Sequence, residues 1–224
     1  RNILEIPAGV IADSAGRRKS MILSFIFYIA SFITSFFSEG FTVLIIAMIV
    51  FGMGDVFRTG THKAMIFHYL NEKGWSHLKV SYYGHTRSCS QFGSAISSLI
   101  AAGIVLISNN YSMVFAAAII PYTLNLINMV SYPARLDGDQ KKMDIRLFRK
   151  NFKSTIRSLR KAFASILTLR IFVNSSLPSS YFNSVKDYFQ PLVLSLIVTL
   201  PVLESYSEKD KTSVLIGILY FIVF

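Results

Sequence analysis

Three residues on one stretch could do chemistry together. Asp55, Arg58 and His62 are spaced i, i+3 and i+7, which places them on one face if the helix that begins near Phe41 continues to about Leu70. At ~1.5 Å per residue, Asp55 then lies roughly 21 Å along that helix, in the far half of a ~30 Å apolar layer. A carboxylate that can take up a proton or a small cation beside an arginine is one reading of this face. A structural Asp55–Arg58 pair, with Arg58 and His62 reaching to the membrane edge, is the other.

Two further polar groups accompany them. Arg87 and Gln91, at i and i+4, can face the same space, as can Asn125 and Asn128 beyond Pro121. A proline flanked by amides bends a helix and leaves a carbonyl in need of a partner. Asn183, Lys186, Asp187 and Gln190 form another polar face, with Lys186 and Asp187 read as an ion pair at a helix end. The histidines His62, His68, His77 and His85 cluster in sequence without the spacing of a matched ligand set, so no metal site is assigned. No HExxH, CxxC, G-x-S-x-G or Walker spelling is present, so enzyme chemistry is not indicated and no cofactor is expected.

The elements that must hold these residues are membrane helices. Of 224 residues, 52% are hydrophobic and 16% charged, and the mean hydropathy is +0.48, too apolar for an ordinary soluble domain. The formal charge of +11 could suggest nucleic acid. However, the cations lie between apolar runs, where the positive-inside rule accounts for them and a nucleic-acid partner is not expected. Cys89 is the single cysteine, so no internal disulfide can form.

Residues up to Ala12 read as the inner end of a span, 20–37 as the next, and Ser38-Glu39-Gly40 as a turn that enforces an antiparallel neighbour. The helix from Phe41 is followed by the polar segment 71–81. Then comes a span over about 83–108, with small residues in two ridges: Gly93, Ser97 and Ala101, and Ser94, Ser98 and Ala102. Such rows allow close helix approach in lipid. After Asn109-Asn110-Tyr111 a further span covers 112–132.

Between residues 134 and 161, ten Lys and Arg face only Asp137, Asp139 and Asp144. Within this stretch Ile145, Phe148, Phe152, Ile156, Leu159 and Phe163 draw one apolar stripe on a basic helix. Residues 141–163 are expected either to lie on the anionic lipid of the cytoplasmic leaflet or to form a solvated linker helix. Residues 166–185 and 192–203 are read as one long, bent or partly re-entrant passage. This choice puts the lysine-poor segment 204–211 outside and every basic loop inside. Both chain ends read as cut.

The stretch Gly9-Val-Ile-Ala-Asp13-Ser-Ala-Gly16-Arg17-Arg18-Lys19 carries the most specific signal. Spelled G-x-x-x-D-x-x-G-R-R between two apolar segments, it resembles the loop between the second and third helices of the major facilitator superfamily of secondary transporters. The resemblance implies an all-α, polytopic membrane protein, here running from about helix 2 to helix 8. Residues 1–133 would belong to the N-terminal bundle, 134–165 to a basic cytoplasmic linker, and 166–224 to the start of the C-terminal bundle.

By the same resemblance, Gly9, Asp13, Gly16, Arg17 and Arg18 hold the cytoplasmic side closed through charged contacts between helix ends. Asp55, Arg58, His62, Arg87, Gln91 and Asn125 become candidates for the coupling or substrate path. The expected activity is secondary active transport of a small solute by alternating access, driven by a proton or cation gradient, in the plasma membrane or a prokaryotic cytoplasmic membrane. A non-transporting receptor or scaffold with this fold is the alternative. Residues 93–103 lack the proline of many drug–proton exporters. Where the family's fourth helix would offer an acid to Arg17, this chain has His68.

Overall fold

The structure is a computed structural model that describes residues 9, 12, 16–137, 157, 164–197 and 208–223. The described elements are helical. Helix α1 covers Arg17–Phe36, α2 Phe41–Arg58 and α3 Thr61–Glu72. A 3-10 turn at Ser76–Leu78 leads directly into α4, Lys79–Ser108. Helix α5 covers Ser112–Ser131, and a second 3-10 turn covers Ala134–Asp137. Helices α6 and α7 are Ile166–Ile197 and Glu208–Val223. Four described stretches are long and apolar enough to cross a membrane: Arg17–Phe36, Phe41–Glu72, Ser76–Ser108 and Ser112–Ser131. Asp13 and the apolar stripe 145–163 lie outside the described residues, as do the side chains of Asn183, Lys186, Asp187 and Gln190.

Packing groups the chain into two compact units, one comprising Arg1–Ser88 and Tyr111–Phe152, the other Cys89–Asn110 and Lys153–Phe224. The first is organised around α1, which packs against α2, α3 and α5. Its core joins Met21, Phe25 and Tyr28 to Met65, Met129 and Leu136. The seam between α1 and α2 is built from small residues. Ser20, Ser24, Ser31 and Ser35 are buried along one face of α1. Ser24 Oγ donates to the Gly54 carbonyl at 2.6 Å and Ser31 Oγ to the Ala47 carbonyl at 2.8 Å. A Cβ on Gly54 would stand 3.0 Å from the Ser24 carbonyl oxygen, so glycine sets this distance of approach. Both hydroxyls are satisfied within lipid by a carbonyl of the neighbouring helix.

In the second unit, the ridge of Ser98 and Ala102 on α4 meets Gly217 of α7. Ser98 Oγ donates to the Gly217 carbonyl at 3.1 Å, and a Cβ on Gly217 would lie 2.6 Å from Ala102 Cβ. Of the two small ridges read from the sequence, this one makes that contact, whereas a Cβ on Gly93 would meet no described atom within 4 Å. Helix α6 contains both Pro178 and Pro191 and runs unbroken for 32 residues, about 48 Å. The described part of the expected passage is thus one helix, and it is not among the four stretches long and apolar enough to cross a membrane.

The helix from Phe41 does not continue to Leu70. It stops at Arg58, and Gly60, at φ +80°, starts α3. The cause is local: Thr59 Oγ1 and Thr59 N both donate to the Asp55 carbonyl, at 2.8 and 2.9 Å, and the following glycine accepts a conformation that other residues resist. The expectation that Asp55, Arg58 and His62 share a continuous helical face therefore holds for the first two, and His62 belongs to the next helix.

Candidate functional site

Side-chain contacts among candidate residues gather in two places in the first unit: the start of α1 and the contact of α1 with α2 and α5. At the start of α1, Gly16 occupies the position before the first helical residue with φ 107° and ψ 133°. A helix normally receives here a side-chain oxygen that accepts the amides two and three positions on. Glycine cannot supply one. The carboxylate of Asp137 does so from across the fold: its Oδ1 accepts the Arg18 amide at 2.9 Å and the Lys19 amide at 3.4 Å. A Cβ on Gly16 would lie 2.6 Å from that same oxygen, so the glycine opens the space that Asp137 fills.

The arrangement is reciprocal. Arg18 sends Nη1 to the carbonyls of Tyr132 and Val130, at the end of α5, where helix carbonyls lack partners and a cation is favoured. Its Nε sits 4.0 Å from Asp137 Oδ2, an ion pair without a hydrogen bond. Asp137 is 4% exposed, so little solvent screens this contact. Arg17 turns the other way, its Nη1 reaching the Ala64 carbonyl on α3 at 3.5 Å. Leu136, next to Asp137, is buried in the core with Met65 and Met21. The Gly16-Arg17-Arg18 turn is thus tied to α3, to α5 and to the segment that follows α5.

Deeper in the unit, Tyr28 is 1% exposed and donates its hydroxyl to Asp55 Oδ1 at 3.1 Å. The Arg58 guanidinium carbon lies 6.0 Å from the Tyr28 ring centroid, a cation–π approach. Phe51 and Tyr122 pack on the same ring at 4.9 and 5.2 Å, and Phe32 meets Tyr122 at 4.8 Å. An acid is therefore held by a phenol beside packed aromatic rings, with an arginine over the same phenol ring. An ionisable residue placed within a membrane span is a candidate functional group.

The other expected residues are placed separately. His62, on α3, and Arg87, on α4, are exposed, and Gln91 is half-buried. Asn125 is exposed and its Nδ2 donates to the Pro121 carbonyl at 3.0 Å, so its amide serves the helix. Gly9 is half-buried. Sequence reasoning misses two residues of these sites. Tyr28 is one aromatic among many in an apolar run, and Asp137 enters only through the charge balance of the basic segment. The pairing of Asp137 with Gly16, 121 positions away by number, leaves no local pattern.

Among known families, the sequence description of the Major Facilitator Superfamily matches residues 2–224. Comparisons with curated proteins and with solved structures give no match. The family match covers nearly the whole chain, and the four long apolar helical stretches suit a polytopic membrane protein. The chain is a multi-pass membrane protein of the transporter class and belongs to the Major Facilitator Superfamily.

Proposed function

We propose that this protein moves a small solute across the plasma membrane, or a prokaryotic cytoplasmic membrane, by ion- or proton-coupled alternating access. In this reading residues 1–133 and 166–224 contribute to two rocking bundles joined by the linker 134–165. The observation that carries the coupling is the Tyr28–Asp55 hydrogen bond inside the helix contact, with Arg58 beside the same ring. Asp55 takes the coupling ion, Tyr28 holds the carboxylate in position, and Arg58 supplies the opposing charge. Arg87, Gln91, His62 and Asn125 belong to the path by sequence position alone.

The reciprocal contact of Arg18 and Asp137 supports a gate on the basic side. It joins the end of α5 to the start of α1 and can open only by breaking several polar contacts together. With Gly9 and Asp13 preceding it, this turn keeps the cytoplasmic side closed while the site faces outward. The 141–163 segment, with its basic residues, rests on anionic lipid of the same face.

Flux tests the reading. Full-length protein in liposomes is given radiolabelled sugars, amino acids and organic ions under imposed proton and sodium gradients. Gradient-driven accumulation of at least one solute is the expected result. Binding of a solute without movement under any gradient would favour a receptor of this fold and sink the transport reading.

A further inference from the structure

The elbow between α3 and α4 has a composition that neither the aromatic rings around Tyr28 nor the gate uses. Between residues 61 and 85 three lysines, Lys63, Lys73 and Lys79, accompany a single acid, Glu72. Among the described residues none of these lysines has a carboxylate partner. Their ammonium groups rest instead on aromatic rings. Lys63 Nζ is 5.4 Å from the Phe67 centroid and 4.9 Å from that of Tyr83. Lys79 Nζ is 5.7 Å from the same Phe67 ring, and Phe67 meets Tyr83 edge-on at 6.2 Å. Two cations from different helices thus share one aromatic pair, which orders their stems and leaves N–H donors free for an anion.

The backbone beside this pair is fixed. Gly74, at φ +74°, ends α3 with Trp75 N donating to the Leu70 carbonyl at 2.8 Å and Gly74 N to the Asn71 carbonyl at 3.0 Å. This paired closure is that of a Schellman turn. It projects Trp75, 48% exposed, and is followed by exposed Leu78, Val80 and Tyr82. Exposed apolar and indole groups next to unpaired lysines, at the join of two membrane-length stretches, suit the headgroup layer of a bilayer and no aqueous surface.

We propose that the α3–α4 elbow is a binding site for an anionic phospholipid. Lys63 and Lys79 hold its phosphate against the Phe67–Tyr83 pair, and Trp75 and Leu78 sit at the level of the glycerol and upper acyl chain. The site rests on the membrane orientation set by the basic loops and is independent of coupling. It places an anionic lipid on a segment distinct from 141–163.

Trp75 provides the probe. Full-length protein is placed in phosphatidylcholine nanodiscs with a fixed fraction of brominated phosphatidylglycerol or brominated phosphatidylcholine. Quenching of Trp75 is read as the difference between wild type and W75F. Preferential quenching by the brominated phosphatidylglycerol is expected. The apparent preference should fall about fivefold for each lysine removed in K63Q and K79Q, persist in K63R/K79R, and fall in high salt for the wild type, which covers the case in which a glutamine variant does not fold. Equal quenching by both lipids, or a preference unmoved by salt and by both substitutions, would overturn the proposal and leave an acidic protein as the occupant. Because no solute is involved, a failure of transport in liposomes leaves this result unaffected.

Discussion

Asp137 caps a helix to which it does not belong: its Oδ1 accepts the amide of Arg18 at 2.9 Å, while the Arg18 side chain runs back to the carbonyls that end α5. The two residues exchange helix ends, an acid on the positive N-terminus of α1 and a cation on the negative C-terminus of α5. This exchange, more than the charge of the loop alone, joins α1 to α5 around their shared core.

Replacing Asp137 by Ala leaves the α1 amides without an acceptor in a site closed to water. A loss of about 1–2 kcal/mol is expected, in the range of a lost helix cap, read as a lower unfolding midpoint of the purified protein in detergent. Asp137→Asn keeps one acceptor and should fall between Ala and wild type. Equal midpoints for all three would show that the cap carries no stability.

Gly16→Ala meets two obstacles, the backbone at φ 107° and the Asp137 oxygen 2.6 Å from the new methyl group. The backbone part costs about 1–3 kcal/mol; the steric part depends on the carboxylate. The double variant with Asp137→Ala should therefore lose less than the two single losses combined. Strict additivity of the melting shifts would separate Gly16 from Asp137.

Much of the fold is legible because membrane helices announce themselves. The apolar runs set α1 and α5 to within a few residues, and the turn Ser38-Glu39-Gly40 sets the α1–α2 hairpin. The break at Thr59-Gly60 is hidden, since hydropathy continues through it and only the Thr59 hydroxyl and the φ of Gly60 decide it. The sequence also shows that the turn at Gly16 is charged and that an acid suits a helix start and a cation a helix end, the pattern that Asp137 and Arg18 follow. The acid that caps α1 is not legible, because Asp137 reaches it through the tertiary fold. In the same way Asp55 stands out as a charge in a span, while Tyr28 does not, since an apolar run hides a phenol until a partner faces it.

The α1–α2 seam separates two glycines of one helix. Gly54 faces the Ser24 carbonyl at 3.0 Å from a methyl position, whereas Gly52 has no described atom within 4 Å. Gly54→Leu should lower the unfolding midpoint through overpacking of about 1–3 kcal/mol, and Gly52→Leu should leave it near wild type. A reversal of that order would contradict the close seam held by Ser24 and Ser31.

Orientation is tested by labelling. In a cysteine-free background with Cys89→Ser, a Lys73→Cys variant should react with an impermeant maleimide only after the cytoplasmic face is opened, and Glu39→Cys in intact cells. Labelling of Lys73→Cys from outside would invert the topology and move the gate to the other side.

Asp55 is the coupling acid proposed above. In pyranine-loaded liposomes, the full-length protein should carry protons inward when a transported solute is added, and Asp55→Asn should abolish this proton movement while solute counterflow continues. Tyr28→Phe, which removes the hydroxyl at 3.1 Å, should weaken it in part. Solute-driven proton movement at the wild-type rate in Asp55→Asn would contradict the assignment of Asp55 as the coupling acid.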